Sequence, residues 1–458
     1  MKNTKKVDLT EGPIWRQLIL FAIPMFWGNL FQQCYNLADA LIIGNFSSND
    51  AFAAVSSAGN LTFLLIGFFN GISMGAGVVI ARYVGAKEPE AIEKSIHTCF
   101  AMGIAASAAA TVLGLLLVPR LLVWMGTPDS VLPESLTYFR IYFGGVATVI
   151  MYNICMGIMR AAGDSTHPLY YLILSSILNV VLDLILVAGL HLGVAGAAVA
   201  TVFSQGVSCL LCIIQMCRLT DETRLIPAKI RFDSFMLKQI IRIGLPSGVQ
   251  NSIISVGNVV VQANINSFGS AAMSGQGAYA KIEGLVFLPI TCMAMALTTF
   301  ISQNLGARKY DRAKKGAFFG TICAMTLAEI IGIVLLVASP VLLSLFIEEE
   351  ESIAYGIIHA RTVSLFFFLL AFSHCASGIL RGCGKSFVPM ITMLLFWCGV
   401  RVIYVTIAIQ IVRKFQTISW AYPITWSLSS VVFLIFLLRT DWVHGFDEGT
   451  QKAQEKTV

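Results

Sequence analysis

Long apolar runs separated by short polar breaks are the dominant pattern of this 458-residue chain. About twelve runs occur, near residues 14–46, 51–82, 94–118, 133–159, 168–190, 193–217, 235–267, 271–303, 313–346, 354–380, 387–411 and 417–439. Each is roughly 20 residues or longer, enough to cross a bilayer core of about 30 Å as a helix. Lipid offers backbone amides no water, so a spanning segment must satisfy its own hydrogen bonds, as a helix does. The pattern therefore predicts an all-α integral membrane protein with about twelve transmembrane helices. Several runs exceed one straight crossing, which predicts tilt.

The pattern also repeats. Met159-Arg160-Ala161-Ala162-Gly163-Asp164-Ser165 returns as Leu380-Arg381-Gly382-Cys383-Gly384-Lys385-Ser386, an offset of 221. The same offset carries Pro168 onto Pro389, and Gly85-Ala86-Lys87 onto Gly306-Ala307-Arg308. Near the start of each half the offset is 222, mapping Pro24 to Pro246, Asn29 to Asn251, Asn36 to Asn258 and Phe46 to Phe268. Two repeat-related six-helix lobes are expected. Many transporters are built this way, with a site between repeats that rock against each other. The expected division is an N-terminal lobe over 1–217, a cytoplasmic linker over 218–234, a C-terminal lobe over 235–440 and a polar cytoplasmic tail over 441–458.

Composition agrees with the membrane reading: 57% hydrophobic, 12% charged and a mean hydropathy of +0.78 do not describe a soluble globular domain. Most of the 31 Lys and Arg residues fall at the N-terminus, in the even-numbered loops and in the tail. By the positive-inside rule both termini face the cytoplasm of a cell-membrane protein. The net charge of +6 then reflects orientation, and nucleic acid is excluded as a partner because no soluble domain carries a basic stripe. No small-residue cleavage site follows the first run, so it reads as a retained helix. The eleven cysteines lie mostly within the runs and read as small packing residues; Cys209 and Cys212 have no second pair to complete a metal site.

Ionisable residues at bilayer depth are few, and each calls for a reason. Candidates are Asp39, Asp183, Glu283, Lys281, Arg401 and His374. Gln32, Asn36 and Asp39 share one helical face, and Asn251, Ser255, Asn258 and Gln262 form a matching stripe in the seventh run. Amides of this kind either join helices or face a cavity. Asn179 and Asp183 stack one turn apart. Their oxygens suit half of a hard-cation site, a proton carrier or a structural hydrogen bond. These two aspartates have no counterpart in the other repeat: Asp39 maps to Val261 and Asp183 to Tyr404. Packing needs would affect both copies alike, whereas a coupling site in one lobe would not. Glu283 either pairs with Arg401 or contacts a cationic substrate. His374 reads as a packing residue. Pro24 and Pro246 are either bending points or fixed kinks.

Asn36-Leu37-Ala38-Asp39-Ala40-Leu41-Ile42-Ile43-Gly44 resembles the first helix of multidrug and toxic compound extrusion (MATE) transporters. Leu178-Asn179-Val180-Val181-Leu182-Asp183 and Leu192-Gly193-Val194-Ala195-Gly196-Ala197-Ala198-Val199-Ala200-Thr201 are similar to later segments of that family. The repeated Gly85-Ala86-Lys87 and Arg160-Ala161-Ala162-Gly163-Asp164 blocks look like its loop signatures, and the resemblance spans nearly the whole chain. It implies two six-helix lobes arranged as a V, and export of organic cations or other amphipathic compounds driven by Na⁺ or H⁺. It also implies that Asp39, Asn179, Asp183 and Thr201 hold the coupling cation, with Asp39, Asn179 and Asp183 as Na⁺ ligands if sodium couples. Some members carry an acid in helix 7 shortly after the proline matching Pro246. Here Gln250 and Asn251 stand instead, so coupling is expected to rest on the N-terminal lobe.

The expected function is secondary antiport that exports drugs or toxic metabolites by alternating access, with Asn36, Gln250, Asn251, Asn258 and Glu283 as candidate substrate contacts. The expected substrate is a small cationic amphipathic molecule, and the expected state is a monomer in the lipid bilayer. No nucleotide-binding GxxxxGK[ST] occurs, so ATP is not the direct energy source, and no cofactor is expected beyond the coupling ion. The alternative is a flippase or exporter of lipid-linked or polysaccharide substrates from a related superfamily branch, which broad basic lining within the runs would favour. A membrane-embedded enzyme lacks a converging nucleophile and base.

Overall fold

The computed structural model describes residues 6–47, 49–124 and 127–444. The basic Lys2, Lys5, Lys452 and Lys456, the tail from 445 onward and the side chain of Ser255 lie outside the described residues. Fifteen helices follow in chain order: α1 Ile14–Phe46, α2 Asn49–Ala86, α3 Pro89–Trp124, α4 Leu132–Gly144, α5 Val146–Ala161, α6 Thr166–Asp183, α7 Gly193–Arg218, α8 Ser234–Asn266, α9 Ser270–Gly306, α10 Tyr310–Ser344, α11 Glu350–Val363, α12 Phe367–Gly382, α13 Phe387–Met393, α14 Arg401–Ile411 and α15 Phe415–Arg439. They trace the twelve expected runs. Among the described residues nine helical stretches are long and apolar enough to cross a membrane, and α4 with α5 makes a tenth, bent by 48°. Large apolar side chains such as Leu113, Leu116, Val337, Val341 and Leu438 are exposed, as lipid-facing positions would be.

Three runs break into two helices for local reasons. The α4–α5 bend falls at Gly145, where a Cβ would sit 2.1 Å from Val202 Cγ1, so glycine lets α7 approach closely. A 3₁₀ turn over Ser364–Phe366 separates α11 from α12. The Phe368 amide at that break donates to Glu329 Oε2 on α10 at 3.2 Å, so a carboxylate within the span takes an orphan N–H. A π-helical stretch over Leu394–Val400 links α13 to α14. Pro24, Pro246 and Pro289 all lie inside continuous helices.

The chain forms two compact units, Met1–Asp8 with Ile23–Gly248, and Leu9–Ala22 with Val249–Val458. Within the first, the connector after α7 is tied to the start of α3. Ile226 N donates to His97 Nε2 at 3.0 Å, Asp233 N to Thr98 Oγ1 at 3.0 Å, and Lys229 pairs with Glu93 at 2.8 Å. Lys6 pairs with Asp221 at 2.5 Å, in the same unit. Gly71 and Gly75 of α2 meet Gly248 and Gly244 of α8 so closely that a Cβ on Gly71 or Gly75 would lie 2.2 or 2.3 Å from the facing glycine nitrogen. Small residues four apart on both helices permit that approach. Within the second unit, Val261, Ile265, Ala272, Val405, Phe415, Ile418 and Ala421 form a buried cluster joining α8, α9, α14 and α15.

The repeat is visible in the backbone. Gly163 and Gly384 are left-handed at φ 86° and 79°. Asp164 N bonds Met159 O at 2.9 Å, and Lys385 N bonds Leu380 O at 2.8 Å. Both turns end a helix with the same glycine-centred pattern.

Candidate functional site

The helical face anticipated on α1, with Gln32, Asn36 and Asp39, lies on Ile14–Phe46, and Tyr35 falls on the same face. Asp39 meets Asp183 of α6, and their carboxylates interact across the two helices. Asp183 is the last α-helical residue before a π-helical stretch over Leu184–Gly189. Such local over-wide turns often mark functional sites, because the changed register re-aims the preceding side chains. Asp183 is fully buried, and Asn179 one turn earlier is 1% exposed.

Satisfaction is the informative property here. Both Asp183 oxygens, Asp39 Oδ1 and both polar atoms of the Asn179 amide are buried without a hydrogen-bond partner. Each such group forfeits on the order of 1–3 kcal/mol. Two adjacent carboxylates in this state also repel one another. A bound cation or a proton relieves both penalties, so the donor set fits Na⁺ coordination or protonation equally well.

The surrounding residues were not singled out from sequence. The Tyr35 hydroxyl lies in the field of Asp39 and Asp183 and receives a long hydrogen bond from Gln205 Nε2 of α7 at 3.5 Å. Tyr138 and Tyr142 of α4 stack with centroids 5.9 Å apart, and Tyr138 also feels both carboxylates. Tyr35 precedes Asp39 by four positions and Tyr138 precedes Tyr142 by four, so their shared faces were legible. That those faces converge was not. Thr201 stands on α7 one turn before Gln205, half-buried, and its side chain makes no hydrogen bond to Asp39, Asn179 or Asp183.

The second unit holds a different polar cluster. Arg401 does not ion-pair with Glu283; the two interact only through their fields. Arg401 Nη2 and Nε instead donate to Thr425 Oγ1 at 2.9 and 3.3 Å, and Nη1 reaches Asn258 Oδ1 at 3.5 Å. Thr425 belongs to α15, whose register against α14 no sequence periodicity reports. His374 packs between Phe287 and Trp397, with centroids 5.4 and 5.5 Å away and no hydrogen-bond partner for Nε2. Lys281 is exposed and lies 5.8 Å from the Phe346 ring.

The expected substrate contacts divide. Gln250 is 4% exposed; its amide nitrogen donates to Met393 Sδ at 2.8 Å, and its Oε1 is buried without a hydrogen-bond partner. Asn251 is half-buried. Asn36 is exposed and bonds Gln33 Oε1 at 3.5 Å, and Asn258 is exposed beside Arg401. Glu283 is half-buried.

Comparison with known proteins agrees with this layout. The MatE family model matches residues 24–185 and again 246–407, once on each repeat. The chain is 28% identical to YoeA of Bacillus subtilis, a probable multidrug resistance protein, over 86% of both chains. It is 26% identical to NorM of Thermotoga maritima, another probable multidrug resistance protein, over 88% of this chain and 87% of that one. A solved MOP superfamily transporter from Pyrococcus furiosus superposes with a TM-score of 0.88 at 23% identity, covering 96% of this chain and 98% of that one; this likeness concerns the fold alone. The duplicated family match and the two-unit helical fold together establish that the chain belongs to the MatE family, the multidrug and toxic compound extrusion transporters.

Proposed function

We propose that this transporter is a secondary antiporter that exports small amphipathic compounds, organic cations among them, in exchange for Na⁺ or H⁺. The convergence of Asp39 and Asp183 around the unsatisfied Asn179 amide carries this reading. Na⁺ or H⁺ entering from outside neutralises the pair. The attraction for a bound cationic substrate then falls, and the substrate leaves outward. Discharge of the ion to the cytoplasm restores the negative site. Only differential affinity between the two states gives such coupling, and a charge pair that is occupied in one state and empty in the other supplies it.

The remaining assignments follow from the same reading. Thr201, on α7, belongs to the cation site in this reading. Transport proceeds by alternating access of two lobes, 1–217 and 235–440 joined by 218–234. The protein is a monomer in the cell membrane with both termini cytoplasmic, moves its substrate without covalent chemistry and needs no cofactor beyond the coupling ion.

The test is efflux of a fluorescent organic cation from proteoliposomes under separately imposed Na⁺ and pH gradients, for the wild type and Asp183→Asn. Export driven by one gradient and lost in the variant is the expected result, and the effective gradient names the ion. Export that survives in Asp183→Asn overturns the coupling assignment.

A further inference from the structure

The first turns of α8 have two unlike sides. On one, Met236, Ile240, Ile243 and Ser247 are buried, each 4% exposed or less. Gln239 Nε2 on that side donates to the Tyr83 hydroxyl of α2 at 3.0 Å. On the other, Phe235, Lys238, Ile241, Arg242 and Leu245 share an arc of about 120° at helical spacing. All five are exposed, the three apolar ones at 47%, 43% and 43%.

Lys238 and Arg242 stand one turn apart, where like charges repel and disfavour the helix. Among the described residues neither forms a hydrogen bond or an ion pair. The acids of this region are engaged elsewhere. Asp233 Oδ1 accepts Met236 N at 3.0 Å, Glu93 pairs with Lys229 at 2.8 Å, and Glu90 pairs with Lys94 at 2.6 Å. The exposed Phe235, Ile241 and Leu245 beside the two cations suit the boundary between lipid headgroups and acyl chains better than bulk water. Long basic side chains reach from such a face to the level of the phosphates. The other repeat sharpens the point: the offset of 222 carries Arg16 onto Lys238 but Leu20 onto Arg242. The start of α1 thus presents one exposed base where α8 presents two.

We propose that Lys238 and Arg242 form a binding site for the headgroup of an anionic phospholipid. The phosphodiester sits between the two cations, and the acyl chains run along Phe235, Ile241 and Leu245. A phosphocholine headgroup also carries a phosphate, but its own ammonium cancels the charge, so the site selects anionic lipids over zwitterionic ones. In the topology proposed above this end of α8 meets the cytoplasmic leaflet, where basic clusters attract anionic lipid. The inference concerns the outer surface of the first unit and stands apart from the coupling ion and the exported substrate.

The test is binding of acyl-labelled fluorescent phosphatidylglycerol and phosphatidylcholine to the purified full-length protein in uncharged detergent, read by anisotropy. Each basic side chain near a lipid phosphate is worth about fivefold in affinity, so the wild type is expected to prefer phosphatidylglycerol by about twenty-fivefold. Lys238→Gln with Arg242→Gln is expected to abolish the preference. Lys314→Gln with Lys315→Gln removes the same charge from exposed positions on α10 and is expected to keep it. Inorganic phosphate, which lacks acyl chains, is expected not to displace the lipid. Equal affinities in the wild type, an undiminished preference in the α8 double variant, or an equal loss in the α10 double variant overturns the proposal. Displacement by inorganic phosphate overturns it in favour of a plain anion site. Should the α8 double variant fail to fold, Arg242→Leu, which copies Leu20 of the other repeat, is expected to cut the preference about fivefold; a full preference there overturns the site.

Discussion

Lys87 and Arg308, separated by the repeat offset, share one left-handed backbone angle, φ 55° in both. Each follows Gly-Ala at the end of a long helix, α2 or α9, and each side chain is exposed. A non-glycine residue in this conformation forfeits about 1–2 kcal/mol, which an exposed side chain does little to recover.

Lys87→Gly and Arg308→Gly are therefore expected to leave stability unchanged or raise it by up to about 1 kcal/mol. Gly163→Ala should do the reverse, since its added Cβ would lie 2.5 Å from Val7 O in a left-handed turn. Thermal unfolding in detergent separates the two cases. Equal losses in all three variants would show that side-chain contacts, not backbone strain, govern these turns.

Asp39→Asn and Asp183→Asn should each abolish coupled export while insertion and folding persist. Because both carboxylates hold unsatisfied buried oxygens, removing one charge is expected to raise thermal stability, by about 1–3 kcal/mol. Loss of transport with a higher melting temperature is the signature of a charge kept for function. Lower stability in both variants would instead assign the pair a structural role.

Gly75→Ala and Gly244→Ala should destabilise the first unit by about 1–3 kcal/mol, the usual scale of overpacking. At both positions the new Cβ meets backbone that cannot rotate away: Gly244 N at 2.3 Å, or the Ile72 Cα at 2.8 Å. Gly277→Ala, where a Cβ meets nothing within 4 Å, is the control. Melting temperatures that do not distinguish the three would remove close helix approach as the reason for these glycines.

Burial pushes the Asp221 carboxyl up, but the Lys6 ammonium and Thr223 bring it below its usual range on balance. A depressed folded-state value means that the tether contributes stability above the ordinary carboxylate pKa of about 3.9 and loses it as pH falls through the folded value. Protection of the 219–226 amides against hydrogen exchange, taken relative to the free-peptide rate at each pH, should therefore persist to below about pH 4 and then fall, whereas Asp221→Asn should show weak protection throughout. Identical profiles for wild type and variant would show that Lys6 does not hold the connector.

Much of the fold was legible in the chain because lipid makes hydropathy decisive. The apolar run near 193–217 became Gly193–Arg218, and that near 387–411 became Phe387–Ile411. The faces of Asp39 and of Asn179 with Asp183 were legible for the same local reason: helical spacing fixes which side chains stack. The duplication was legible too, and it reappears as matched φ angles at Gly163 and Gly384.

What the sequence by itself determined, then, is everything set by near neighbours: which segments are helical, which residues share a helix face, and that Asp39 and Asp183 have no carboxylate at the matching positions of the other repeat. The tertiary structure decided which faces meet. It brought Tyr138, Tyr142 and Gln205 toward the two aspartates, turned Gln250 onto Met393, and gave Arg401 to Thr425 and Tyr422 in place of Glu283. It also placed the π-helical stretch after Asp183. Periodicity carries no record of the rotation and height of one helix against another. Those are fixed by side-chain packing over the whole bundle, and the chemistry of each site depends on them.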